Sequence, residues 1–298
     1  MGFRLTTQEA LGAGISRVTD EELAAAIVSL RDPASGIHAG RKSIKKLRAM
    51  MRLVEPRLAR LARYENSALG EAGRSISGAR DGQAVVEIVD VLLGQVTSKT
   101  AARSLAALRK RLLVIRPPEV CVTAPALQLL AEVAARVSEW PPLPDSFASI
   151  GEGLRETYRQ GRKALAAVAA QPCNDTFHTL RKRVKDHWYQ VRLLQGAWTA
   201  AEPREKELRE LQECLGLEHD LTVLEETAPL TPTVQAVVAS ARREYRSQAV
   251  ALAAVLYGEK SKVHTARVQE LWQDWRRTRD VARKGPASAH VRRRRQVA

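Results

Sequence analysis

The chain repeats itself. When His38 is set against His178, Arg41 falls on Arg181, Lys42 on Lys182, Lys45 on Lys185, Arg52 on Arg192 and Leu53 on Leu193, all at an offset of 140. Farther along, Arg80-Asp81 meets His219-Asp220 at an offset of 139. Upstream, Gly12-x-Gly14-Ile15 and Gly151-x-Gly153-Leu154 begin 26 and 27 residues before their histidines. Three matches in register make the chain two related halves, about 8–140 and 149–282, joined near 140–148. Together they are expected to form one domain over 1–282, with 283–298 as a basic, disordered tail.

Each half reads as helix. Ala, Leu, Arg and Glu dominate, apolar residues recur every three to four positions, and strand-like alternation is absent. The pattern predicts helices over 18–30, 37–55, 57–79, 82–95, 99–115, 125–139, 149–170, 175–196, 203–226, 233–257 and 262–281. Breaks fall at Asp32-Pro33, Asp81-Gly82, Pro117-Pro118, Trp140-Pro141-Pro142-Leu143-Pro144, Gln171-Pro172 and Thr231-Pro232. Pro56 should end or kink its helix. The fold class is all-α. Three distant cysteines, Cys121, Cys173 and Cys214, suit neither a disulfide framework nor a metal motif and are read as small core residues. No apolar run approaches a membrane span, so the expectation is a cytoplasmic protein without a membrane partner.

Charge narrows the partner. A formal net charge of +15 calls for a polyanion. Six of the positive charges lie in 283–298, which contains no acid. The segment 38–52 has six Lys/Arg and no acid, and 178–192 has five against one Asp. Helix geometry places His38, Arg41, Lys42, Lys45 and Arg52 within a stripe of about 100°. Ile44, Leu47, Met51 and Val54 then face a core. In the second copy His178, Arg181, Lys182, Lys185 and Arg192 form the stripe, and Phe177, Leu180, Val184, Val191 and Leu194 the core face. His187 falls among the core positions and is read as structural. Five like-charge pairs at i+3 or i+4 in the first stripe would cost the helix about 1–2.5 kcal/mol. An anion spanning both stripes would relieve that repulsion. Arg155, Arg159 and Arg162 line one side of the helix opening the second half and are candidates to join them. Lys99, Arg103 and Lys110 share a face as weaker candidates.

These residues resemble the CHAD family, the conserved histidine α-helical domain. The likeness rests on His38-x-x-Arg41-Lys42-x-x-Lys45-Lys46-Leu47-Arg48 and on His178-x-x-Arg181-Lys182-x-x-Lys185. Three further segments support it: Leu211-x-x-x-Leu215-Gly216-x-x-His219-Asp220-Leu221, Tyr158-Arg159-Gln160-Gly161-Arg162 and Leu256-Tyr257-Gly258-Glu259-Lys260. It runs from about residue 8 to 280. It implies two pseudo-symmetric four-helix-bundle halves around a basic central cavity or groove that binds inorganic polyphosphate, with His219 and Lys260 added to the stripe residues. It also implies association with polyphosphate bodies and their proteins. The second copy departs from the first, with Asp186, His187 and Trp188 standing where Lys46, Leu47 and Arg48 stand. The triphosphatase motif E-x-E-x-K that often accompanies the family is absent.

Rival chemistries are less well supplied. No P-loop, HExxH or paired Cys/His motif appears, so neither catalysis nor a cofactor is expected. His38, His178 and His219 could meet at a metal. Each helical His, however, shares its face with Arg or Lys, which suits donation to phosphate instead. Nucleic acid is the second reading. The Arg292–Arg295 run favours it; the repeated stripes and an aromatic content of 4% speak against it.

Overall fold

The computed structural model describes residues 2–6, 8–76, 78–115, 122–195 and 202–284. The basic C-terminal segment, Cys121 and the Pro117-Pro118 break lie outside them. Among the described residues there are ten α-helices and no strand. They are α1 (Leu11–Leu30), α2 (Pro33–Ser75), α3 (Gly78–Gln95), α4 (Lys99–Ile115), α5 (Ala124–Val137), α6 (Gly151–Ala170), α7 (Asn174–Leu194), α8 (Glu202–Thr227), α9 (Pro232–Leu256) and α10 (Ser261–Lys284). A 3-10 turn at Phe147–Ser149 precedes α6. None of these helices is long and apolar enough to cross a membrane.

Local chemistry sets the helix starts. The carboxylate of Asp145 accepts the Leu11 amide at 2.8 Å, so the Pro-rich connection caps the first turn of α1. Cys173 and Thr176 form a reciprocal capping box at α7. Cys173 is thus a half-buried cap rather than a core residue, while Cys214 is buried as expected. Thr231 caps α9 ahead of Pro232, whose missing N–H costs nothing at a first turn. The expected helices at 37–55 and 57–79 are one element, α2, broken at Ala59 with φ 33° and ψ −104°. Pro56 removes the donor that would reach the carbonyl of Arg52. The chain takes up the resulting turn three residues later, at an exposed alanine that no packing opposes.

Two apolar cores result, and neither follows the repeat boundary. One gathers α1, α2 and α5 with Phe147, Leu154, Tyr189, Leu193 and, from α10, Val268, Trp272 and Trp275. The other gathers α6, α7, α8 and α9 with Val85, Ile88, Val89 and Leu92 of α3 and Leu105 and Leu108 of α4. The α3–α4 hairpin of the first copy therefore packs against α8 and α9 of the second. The two repeat helices α2 and α7 touch directly. Gln190 donates to the carbonyl of Ala49 at 3.0 Å, and the Leu5 amide donates to the carbonyl of Leu193 at 2.8 Å. α6 crosses α2 at backbone contact: a Cβ on Gly153 would lie 2.0 Å from the Leu53 carbonyl oxygen. Only glycine permits that approach.

Candidate functional site

On α2, the buried faces of Ile44, Leu47, Met51 and Val54 fix which way the stripe points. Its members then diverge. His38 and Lys42 are exposed and Lys45 is half-buried. Arg41 donates to the carbonyls of Gly73 and Ile76 at 3.2 and 3.0 Å, fastening the far end of α2. Arg48 donates to Asn66 at 3.0 Å. Arg52 reaches Asp186 on α7 at 3.0 Å. Three arginines of the first copy thus hold protein groups.

On α7, Phe177, Leu180, Val184, Val191 and Leu194 are buried, as their spacing predicted. Lys182 is exposed, and Arg192 lays its guanidinium over the Trp188 ring at 5.0 Å. His178 is half-buried and lies 4.8 Å from the ring of His219 on α8, at 34° to it. Its Nδ1 is buried with no hydrogen-bond partner among the described residues. Burial holds the His219 imidazole down to about 3, helped by the charges of Arg181, His178, Lys185 and Lys45. His178 is lowered by burial, Lys182 and Arg181, against a weaker opposite pull from Asp175.

Lys45 comes from α2, whereas Arg181 and Lys185 come from α7. All three oppose protonation of one imidazole on α8, and α7 packs against both α2 and α8, so cations of both stripes gather around it. A second point of convergence surrounds Asp186. Burial pushes its carboxyl above the ordinary range, while Arg52, Arg183, Arg48 and Lys185 pull the other way. One acid therefore sits among cations from both repeat copies.

The remaining expected residues lie on α6 and just before α10. Arg155 pairs with Glu152 at 3.4 Å and Arg159 pairs with Glu156 at 2.7 Å, all on the exposed side of α6. Arg162 is half-buried beside the Tyr158 phenol. Lys260 is exposed before α10, where its carbonyl accepts the amide of His264 at 3.1 Å. A cavity of about 380 Å³ between the start of α1, Leu58 and Trp140–Leu143 touches none of the stripe residues.

Sequence reading missed a buried knot. Tyr158 stacks on His264 at 4.0 Å and 11°, and His187 Nδ1 lies 3.3 Å from the Tyr257 hydroxyl. Tyr158 donates to the carbonyl of Leu256 at 2.9 Å. A Cβ on Gly161 would meet the Tyr257 ring at 2.3 Å, so the glycine makes room for that ring. Burial drives His187 well below its usual value and His264 to about 3, so both are neutral. Two of the segments carrying the family resemblance, 158–162 and 256–260, therefore meet in packing. The core position of His187 was the one available signal, since periodicity cannot pair residues so far apart in the chain.

The meeting point is suited to oxyanions. Guanidinium forks and ammonium groups donate only, and each neutral imidazole retains one N–H donor. A divalent cation would be repelled by Lys45, Arg181 and Lys185. Among the described residues no group of three or more His, Cys, Asp or Glu side chains could hold a metal.

An all-helical chain with a cationic junction between repeated helices is the class that fold and site define. Residues 9–229 match the CHAD domain. The chain belongs to the CHAD family. Its fold is similar to the crystal structure of the CHAD domain from the plant Ricinus communis, at 23% identity, covering 82% of this chain and 88% of that one, with a TM-score of 0.52. A comparison with curated proteins returned no match.

Proposed function

We propose that the protein binds inorganic polyphosphate without transforming it, along a junction lined by Lys45 of α2 and by Arg181 and Lys185 of α7. The observation that carries this reading is the packing of α7 against both α2 and α8, which sets His178, on the stripe that bears Arg181 and Lys185, 4.8 Å from His219. A flexible polymer with about one charge per phosphate can follow such a junction, and it has no bases that must be read. Arg forks suit paired phosphate oxygens, while Lys supplies point charges. His178, His219, Lys42 and Lys182 extend the same surface. A cytoplasmic protein of this kind would associate with polyphosphate bodies and their proteins.

Nucleic acid is the competing polyanion, favoured only by the Arg292–Arg295 run. Competition at fixed salt separates the two. Long-chain polyphosphate should displace a labelled probe well before duplex DNA does. Lys45→Glu and Lys185→Glu should each weaken polyphosphate binding by about 100-fold, the scale of losing one or two charge-assisted hydrogen bonds. Deleting 285–298 should change it by less than about threefold, since the reading places the site on α2, α7 and α8. Loss of binding on tail deletion, with both reversals silent, overturns the proposal. Arg41 is a poor test residue, because its reversal would also release the Gly73 and Ile76 carbonyls.

A further inference from the structure

The His178–His219 pair has no evident structural use. His187 and His264 are packed among aromatic rings, with the Glu259 carboxylate 3.9 Å from His264 Nδ1. His178 and His219 instead face one another at 4.8 Å within the cationic junction. His178 keeps a buried ring nitrogen without a hydrogen-bond partner among the described residues. In the free protein both rings are held neutral by burial and by neighbouring positive charge.

The groups around the pair can be named element by element. α7 contributes Asp175, Arg181, Lys182 and Lys185, and α2 contributes Lys45. Arg246 of α9 is engaged by Glu218 and Asn174. α8 itself carries Glu218, the partner of that arginine, and Asp220, next to His219 in the chain. Among the groups that shift the two rings, Asp175 is the one acid; the others are cations or the other ring. A polyanion entering the junction reverses the sign of the local field. It neutralises the charges that oppose protonation, and it offers each new N–H an oxygen acceptor.

We propose that occupancy of this junction by polyphosphate is coupled to proton uptake by the His178–His219 pair, so that the site holds its ligand more tightly as pH falls. The inference rests on the polyphosphate reading and assigns that site a regulator. By linkage, affinity rises with falling pH in proportion to the protons taken up. Lysine and arginine do not titrate near neutrality, and the internal phosphates of a long chain stay ionised there, so the histidines own this pH window.

The test uses the full chain with long-chain polyphosphate. Calorimetric titration near pH 6, in buffers of differing ionisation enthalpy, should give roughly one proton taken up per site. Affinity should rise roughly tenfold between pH 8 and pH 5.5, the response to about one proton. His178→Asn and His219→Asn should each reduce the uptake, whatever their affinity at pH 8. In the wild type, NMR titration of the two imidazoles should move to higher pH when polyphosphate is bound, which keeps the test independent of whether either variant folds. Tight binding with no proton uptake, or uptake unchanged in both variants, overturns the coupling and leaves the polyphosphate reading standing. No binding at any pH overturns both.

Discussion

Residues 46–48 of α2 and 186–188 of α7 occupy the same place in the two repeat copies and do opposite things. In the first copy Lys46 pairs with Glu22 of α1 at 2.5 Å, Leu47 fills the core, and Arg48 holds Asn66. In the second, Asp186 crosses to Arg52, His187 enters the core as a neutral polar group, and Trp188 donates to Glu205 at 3.1 Å. The first copy ties α2 to its own neighbours. The second supplies the acid that accepts an arginine from the first. An exact repeat of 46–48 at 186–188 would set cation against cation across the α2–α7 contact. Replacing one Lys by Asp turns that repulsion into an ion pair, at the cost of burying a carboxylate.

Restoring the first copy's residues in the second should break this arrangement in order of size. Asp186→Lys should cost the most, about 3 kcal/mol, because it leaves the half-buried Arg48, Arg52 and Arg183 beside a further cation. A urea titration reads this directly. An unchanged midpoint would mean that the crossing pair holds nothing together.

His187→Leu comes next, and its signature is a dependence on pH. An imidazole held below its unfolded value near 6.5 contributes fully above that pH. As pH falls, the unfolded chain takes a proton that the folded core refuses, so stability drops. At pH 5 the loss is about 2 kcal/mol for one such histidine. The leucine variant should forfeit the Tyr257 contact at pH 7.5 yet lose about that much less on acidification. His264, at about 3, leaves the remaining acid sensitivity in place. Acid should thus weaken the fold through the core histidines while strengthening ligand binding through the junction pair.

The smallest effect separates two neighbours on one stripe. Arg41→Ala should lower stability by about 1–3 kcal/mol, having lost two carbonyl acceptors. Lys42→Ala, exposed one residue later, should change it by no more than about 0.5 kcal/mol. Equal effects would mean that the first stripe is uniform, as its sequence suggests.

Much of the fold was legible. Helix spacing and Pro/Gly punctuation placed most helices to within a few residues, because both are local. Two exceptions stand out: α1 begins at Leu11, where the distant Asp145 caps it, and the break in α2 falls at Ala59 instead of Pro56. The site was legible in part. The stripe rule identified Lys45, Arg181, Lys185 and His178 as facing out of the core, and the family resemblance added His219. Neither separated Arg41 and Arg52, which hold protein groups, from cations placed around the junction. Nor did they foresee that Arg155 and Arg159 are held by acids on their own helix.

The sequence by itself determined that the chain is helical, which residues of α2 and α7 face the core, and which side of each is charged. All of these are periodicities, and a periodicity is carried by neighbours in the chain. Tertiary structure alone decided that the α3–α4 hairpin of the first copy packs into the second copy's core. It also decided that His178 meets His219, and that Tyr158, His187, Tyr257 and His264 close into one knot. Those outcomes depend on which surfaces bury each other, and burial is a property of pairs far apart in sequence.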